Sequence, residues 1–157
     1  MTDEKKRKLE QAADAWFVHV RLMDAVCREL GTRYAAVLQP ALGVGVPRAE
    51  LAAVYGESLR RGTPDEALSR LLATPGALET LEHLYGLMRD RARGHEWFHD
   101  LSGPAVIPYG EGCFHSPRYP NALGNGRIAR AIADTIVAGL PHGRCDSPEP
   151  RPAAGDR

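Results

Sequence analysis

No stretch of this sequence reaches the roughly 18 consecutive apolar residues that a membrane-spanning helix needs, and the start, MTDEKKRKLEQAADAW, is charged where a secretory leader would be apolar. The expectation is a cytoplasmic protein with no membrane partner. Cysteine is scarce as well. Cys27, Cys113 and Cys145 are odd in number and lack CxxC spacing, so neither a disulfide framework nor a cysteine-based zinc site is indicated. An excess of one charge is also missing: 20 basic residues stand against 20 acidic ones, for a formal net charge of zero, which argues against a surface built for nucleic acid.

Familiar catalytic signatures are equally thin. GxSxG does not occur, and HExxH occurs once, as HEWFH at residues 95–99. His95 and His99 are four apart in HEWFH, but that stretch follows a helix-ending glycine and reads as a strand, where the spacing need not place both rings on one usable face. No metal or cofactor is expected. The GVG of ALGVGVPRAE follows an apolar run but lacks the lysine and hydroxyl of a phosphate loop, leaving Arg48 as the one group that could meet an anion there.

What is present suits one domain: 157 residues, 43% apolar. Trp16, Val20, Met23, Cys27 and Leu30 recur every three or four residues, which predicts a helix over residues 6–30 with that stripe packed and Gly31 as its stop. The compact apolar run in TRYAAVLQPAL predicts a strand covered on both faces near residues 34–38. Short helices follow over 48–61 and 64–73, the second with a Thr63–Glu66 capping box and Pro64 at its first position. This glycine- and proline-interrupted segment, 43–76, reads as a lid over the sheet or as a plain connector. A helix over 77–92 closes at Gly94, and HEWFHDLSG predicts a second strand near 96–100, with Ser102 just past its end. Ile128, Ile132 and Ile136 mark a last helix, while residues 141–157, rich in proline and charge, are expected to be a disordered tail. Helix and buried strand in alternation favour an α/β parallel sheet.

Three phrases fall in an order that carries further meaning. YAAVLQPAL (residues 34–42), HEWFHDLSG (95–103) and SPRYPNALGNGRIARAIA (116–133) together resemble the later part of the SGNH hydrolases, also called GDSL esterases or lipases. The resemblance implies a partial SGNH hydrolase-like domain over residues 1–140, with an incomplete flavodoxin-like three-layer α/β/α sandwich. It further implies a serine nucleophile from a Gly-Asp-Ser block, oxyanion donors from a glycine and an asparagine, and a closing Asp-x-x-His.

This sequence contains neither Gly-Asp-Ser nor a Gly-x-Asn-Asp block; the segment carrying them would precede AADAWFVHV. At the closing motif Ser116 stands in the aspartate's place and Tyr119 in the histidine's. A hydroxyl carries no orienting charge, and a phenol, with an ordinary pKa of about 10, is a poor base near neutrality. Pro120, Asn121, Gly124 and Asn125 retain the turn and the start of the following helix, with Asn125 available as its N-cap. The expectation is a hydrolase-like protein without hydrolytic chemistry. The alternatives are a serine esterase acting on small carboxylic esters, with His115 as a shifted base, and a non-enzymatic interaction module. Strand edges left open by an incomplete sheet suggest self-association or a partner chain covering them.

Overall fold

Thr2 starts the first helix by accepting a hydrogen bond from the Lys5 amide at 3.3 Å, with Asp3 and Glu4 complementing the helix dipole in the first turn. This helix, α1 (Asp3–Glu29), ends before Gly31, whose φ of 66° admits the left-handed turn that a Cβ disfavours. In this computed structural model, which describes residues 1–109 and 112–139, the order continues with β1 (Ala36–Leu38), α2 (Arg48–Arg60), α3 (Glu66–Ala73), α4 (Ala77–Ala92), β2 (Phe98–Asp100), β3 (Phe114–Ser116), β4 (Tyr119–Pro120) and α5 (Ala122–Gly139). The tail expected over 141–157, with Cys145, lies outside the described residues.

β1 and β2 pair in parallel, Ala36 opposite Phe98 and Leu38 opposite Asp100. The intervening helices supply the crossover that parallel strands require. The chain is therefore α/β in the broad sense, with helices predominating and a parallel sheet of two short strands among the described residues. Both strands are shorter than their apolar runs suggest. Past Leu38 the run bends into a turn in which Pro40, Ala41, Leu42, Val44 and Val46 are all buried. Gly43 makes that turn possible: its φ is 85°, and an added Cβ would come within 2.8 Å of Leu71. Burial, rather than strand pairing, accounts for the residues after Leu38.

Two hydrophobic clusters hold the chain. The larger joins Leu42 and Val46 of the turn to Leu51 of α2, Ala67, Leu68 and Leu71 of α3, Leu78 of α4, Phe114 of β3 and Ile128 of α5. Leu51 and Leu68 have no exposed surface, and burying each stabilises the fold by about 2–3 kcal/mol. The segment anticipated as a lid or connector thus supplies the main core. Its second helix starts two residues later than the capping-box pattern implies. Asp65, not Thr63, is the N-cap, its Oδ1 accepting from the Leu68 amide at 3.0 Å, and Pro64 stays outside the helix.

The smaller cluster consists of Val20 of α1, Ala36 of β1, Ala92 of α4 and Trp97, with Trp16, Phe17, Tyr34 and Phe98 packed around them. It covers less of α1 than the stripe implied. Val20 is buried, but Met23 is 50% and Leu30 72% exposed, because the second half of the helix has few neighbours. Among the described residues, no helix is long and apolar enough to cross a membrane.

Candidate functional site

The motif-bearing segment forms a hairpin. β3 and β4 are antiparallel, and their register sets Ser116 directly opposite Tyr119 across a turn made by Pro117 and Arg118. The Leu42 amide donates to the Pro117 carbonyl at 3.0 Å, tying this turn to the buried bend after β1. Tyr119 is 66% exposed, so its ring stands in solvent rather than against a partner.

Beyond the hairpin, Asn121 organises the start of α5. Its Oδ1 accepts from the Gly124 amide at 3.1 Å, its Nδ2 donates to the Gly112 carbonyl at 2.6 Å, and its own amide donates to the Cys113 carbonyl at 2.9 Å. The N-cap is therefore Asn121. Asn125, the expected cap, already lies in the first turn, its amide bonded to the Asn121 carbonyl at 2.8 Å. An asparagine one turn into a helix cannot reach the orphan amides that a cap satisfies. Gly124 is required for a different reason: a Cβ there would overlap the Cys113 carbonyl oxygen and approach Pro120 Cβ to 2.8 Å. Pro120 and Gly124 thus form the contact on which hairpin and helix close.

His115 lies between Phe114 and Ser116, where the register of the hairpin is irregular. It lines a cleft of about 530 Å³ between the hairpin and the α2–α3 connection, together with Ser58, Arg61, Asp65, Glu66 and Asn121. No hydrogen bond among the described residues links His115 to a hydroxyl or a carboxylate. Ser58 and Asp65 are occupied with each other and with the backbone. The Ser58 hydroxyl donates to the Tyr55 carbonyl at 2.7 Å and accepts from the Asp65 amide at 3.2 Å, while the Asp65 carboxylate caps α3. Arg61 lies 3.5 Å from Glu57, and Glu66 lies 3.4 Å from Arg70. The cleft offers polar groups of both signs but no assembled nucleophile and base.

A second cluster sits where the parallel strands end. Ser102, just past β2, is 1% exposed. Its hydroxyl donates to Asp100 Oδ1 and accepts from Arg89 Nη2 at 2.6 Å, its amide donates to the same Asp100 oxygen at 3.0 Å, and Arg89 Nε donates to Asp100 Oδ2 at 2.7 Å. Burial alone would raise the Asp100 carboxyl; the hydrogen bonds from the Ser102 hydroxyl and amide, followed by Arg89, outweigh it and hold the group below the ordinary aspartate range. Only about 10 Å³ of space adjoins Ser102, little more than one water-sized probe. With its hydroxyl held between a carboxylate and a guanidinium and almost no space beside it, Ser102 fastens α4 to the end of β2 and is not presented as a nucleophile. Sequence reading singled out the serine but missed Arg89 and Asp100, because their meeting depends on α4 docking beside β2.

The remaining candidates resolve into structure. Arg48 donates from Nη2 to the Leu72 carbonyl at 2.9 Å, holding α2 to α3 rather than waiting for an anion. The Gly45 amide in the GVG turn donates to Glu82 Oε1 at 2.6 Å, so a carboxylate stands where a phosphate loop would receive its ligand. His95 stacks on Trp97 with ring centroids 4.8 Å apart. Among the described residues, no group of three His, Cys, Asp or Glu side chains is placed to hold a metal ion. No protein-family model matches the sequence, and neither a curated protein nor a solved structure matches it.

Proposed function

We propose that this chain is an SGNH hydrolase-like domain, akin to the carboxyl-terminal part of that flavodoxin-like sandwich, which does not hydrolyse esters and acts as a binding or assembly unit. The observation that carries the reading is the pairing of Ser116 with Tyr119 across the hairpin. These are the positions that the resemblance gives to the orienting aspartate and the base. A hydroxyl and a phenol there cannot form the charged carboxylate–imidazole unit that takes a proton from a nucleophile and holds it while an oxyanion develops. The scaffold around the lost pair also supports the relationship: the Asn121 cap, the close approach at Gly124 and a helix following directly on them.

Hydrolysis through His115 is the competing reading, and its support is the cleft that the imidazole lines. One experiment separates the two. Purified chain is assayed on activated acetyl, butyryl and thioester substrates beside the His115→Ala protein. The non-hydrolytic reading expects no saturable turnover from either. Saturable turnover abolished by His115→Ala would make His115 the base and overturn it, and turnover indifferent to that substitution would overturn it equally while placing the chemistry elsewhere.

A further inference from the structure

α1 is apolar on more sides than its neighbours cover. Ala13 and Val20 are buried, and Trp16 and Phe17 pack into the smaller cluster. On the opposite side Val18, Leu22 and Val26 follow at intervals of four and are 63%, 59% and 45% exposed. Residues four apart share a helix face, and Met23 and Leu30 widen it. Between residues 15 and 27 the helix has only two formally charged side chains, Arg21 and Asp24. Asp24 lies 2.9 Å from Arg28, and the Arg21 guanidinium lies 5.8 Å from the centroid of the Phe17 ring. Neither charge interrupts the exposed patch. A helical stretch that is apolar on two opposite faces is ordinarily covered on both.

We infer that α1 pairs antiparallel with α1 of a second copy of this chain, about a twofold axis passing beside Leu22. The spacing is symmetric about that residue: a twofold sets Leu22 on its equivalent and Val18 on the partner copy's Val26, so each apolar residue meets another. Rows of residues four apart interdigitate in the commonest mode of helix packing, and the small side chains of Ala15 and Ala25 beside the row permit close approach. Covering the five exposed side chains removes roughly 500 Å² of apolar surface per copy and about 1,000 Å² in all, the lower bound for a specific interface. Charge selects the orientation. Parallel pairing would stack the run Lys5, Lys6, Arg7 and Lys8 on its own copy, whereas antiparallel pairing separates the two runs and opposes the helix dipoles. A net charge of zero leaves no long-range repulsion between copies. The surface is distinct from the open strand edges suggested by the sequence, and the pairing is independent of whether the domain has hydrolytic activity.

Sedimentation velocity on the full chain, from low micromolar to several hundred micromolar, tests the pairing. A reversible monomer–dimer equilibrium is expected. Leu22→Glu and Leu22→Arg should each give a monomer throughout, with unchanged helical circular dichroism because the position is on the surface. Mixing the two variant proteins should restore the dimer, since the twofold sets the substituted positions against each other. A wild-type chain that stays monomeric, or that grows into open-ended aggregates, overturns the inference. So does a dimer that survives both substitutions, or a mixture of the two variants that fails to reassociate.

Discussion

The two clusters differ in chemistry as well as in size. The larger is mainly aliphatic and interlocks the turn after β1 with α2, α3, the hairpin and α5 through fully buried leucines. The smaller has only four buried members, two of them alanines, and is closed by rings: Trp97 lies within 6.0 Å of Tyr34 and 6.4 Å of both Phe17 and Phe98, measured between centroids. Each such aromatic pair adds only about 0.5–1.5 kcal/mol beyond the area it buries. The parallel strands therefore rest on the thinner support, while the motif-bearing hairpin rests on the thicker one. Among the described residues, α4 alone reaches both, with Leu78 near one end in the larger cluster and Ala92 at the other in the smaller.

If that contrast is right, Leu68→Ala should do more damage than any truncation in the smaller cluster, destabilising the whole chain by about 4 kcal/mol through loss of contacts and the cavity left behind. Urea unfolding followed by circular dichroism measures it, and a loss below about 1 kcal/mol would remove the distinction between the clusters. Trp97→Ala should cost about 3 kcal/mol but act locally. Hydrogen exchange should accelerate across α1 while the α3 amides stay protected; equal acceleration in both would mean that the clusters unfold as one. Gly124→Ala should cost about 2 kcal/mol by forcing β4 away from the Cys113 carbonyl. The signature would be faster exchange at the Asn121 amide, which donates to that carbonyl.

Asp100→Asn should have the smallest effect, about 1 kcal/mol near neutrality, discounted because the carboxylate is partly exposed. The sign follows from the lowered folded-state pKa. The stabilisation is full above the ordinary aspartate pKa of about 3.9 and fades as pH falls through the lower folded value. Thermal unfolding of wild type and variant should therefore differ at pH 6 and converge in stronger acid. A gap that widened in acid would contradict the ionised network.

The helices were the readable part of this fold. The helix expected over 77–92, closed by Gly94, coincides with α4, because Leu81, Leu84, Tyr85 and Met88 repeat at helical spacing up to that stop signal. The strands were less readable, since an apolar run reports burial, and the residues from Pro40 to Val46 are buried in a turn. The hairpin was hidden by its prolines. Pro117 and Pro120 suggested a loop, yet Pro117 lies in the turn and Pro120 at a strand end, where a missing amide proton is tolerated. At the candidate site, Ser116, Tyr119, Asn121 and Gly124 stand within nine residues of one another in the sequence, and they lie on one hairpin and the helix start that follows it. The sequence could not assign the cap between Asn121 and Asn125, because that depends on which residue the Gly112 and Cys113 carbonyls reach. Nor could it place His115 on the cleft, whose opposite wall comes from residues about fifty positions earlier.

Both tryptophans of the chain, Trp16 and Trp97, belong to the smaller cluster. Intrinsic emission is therefore an optical probe of α1 docking on the strands and has no tryptophan in the leucine-rich half, whereas far-ultraviolet ellipticity sums over every helix. A chain melting in one concerted step would give superimposable curves from the two signals. The uneven support described above calls instead for emission to change at lower denaturant than ellipticity, so that two spectrometers resolve the halves of the molecule without a label.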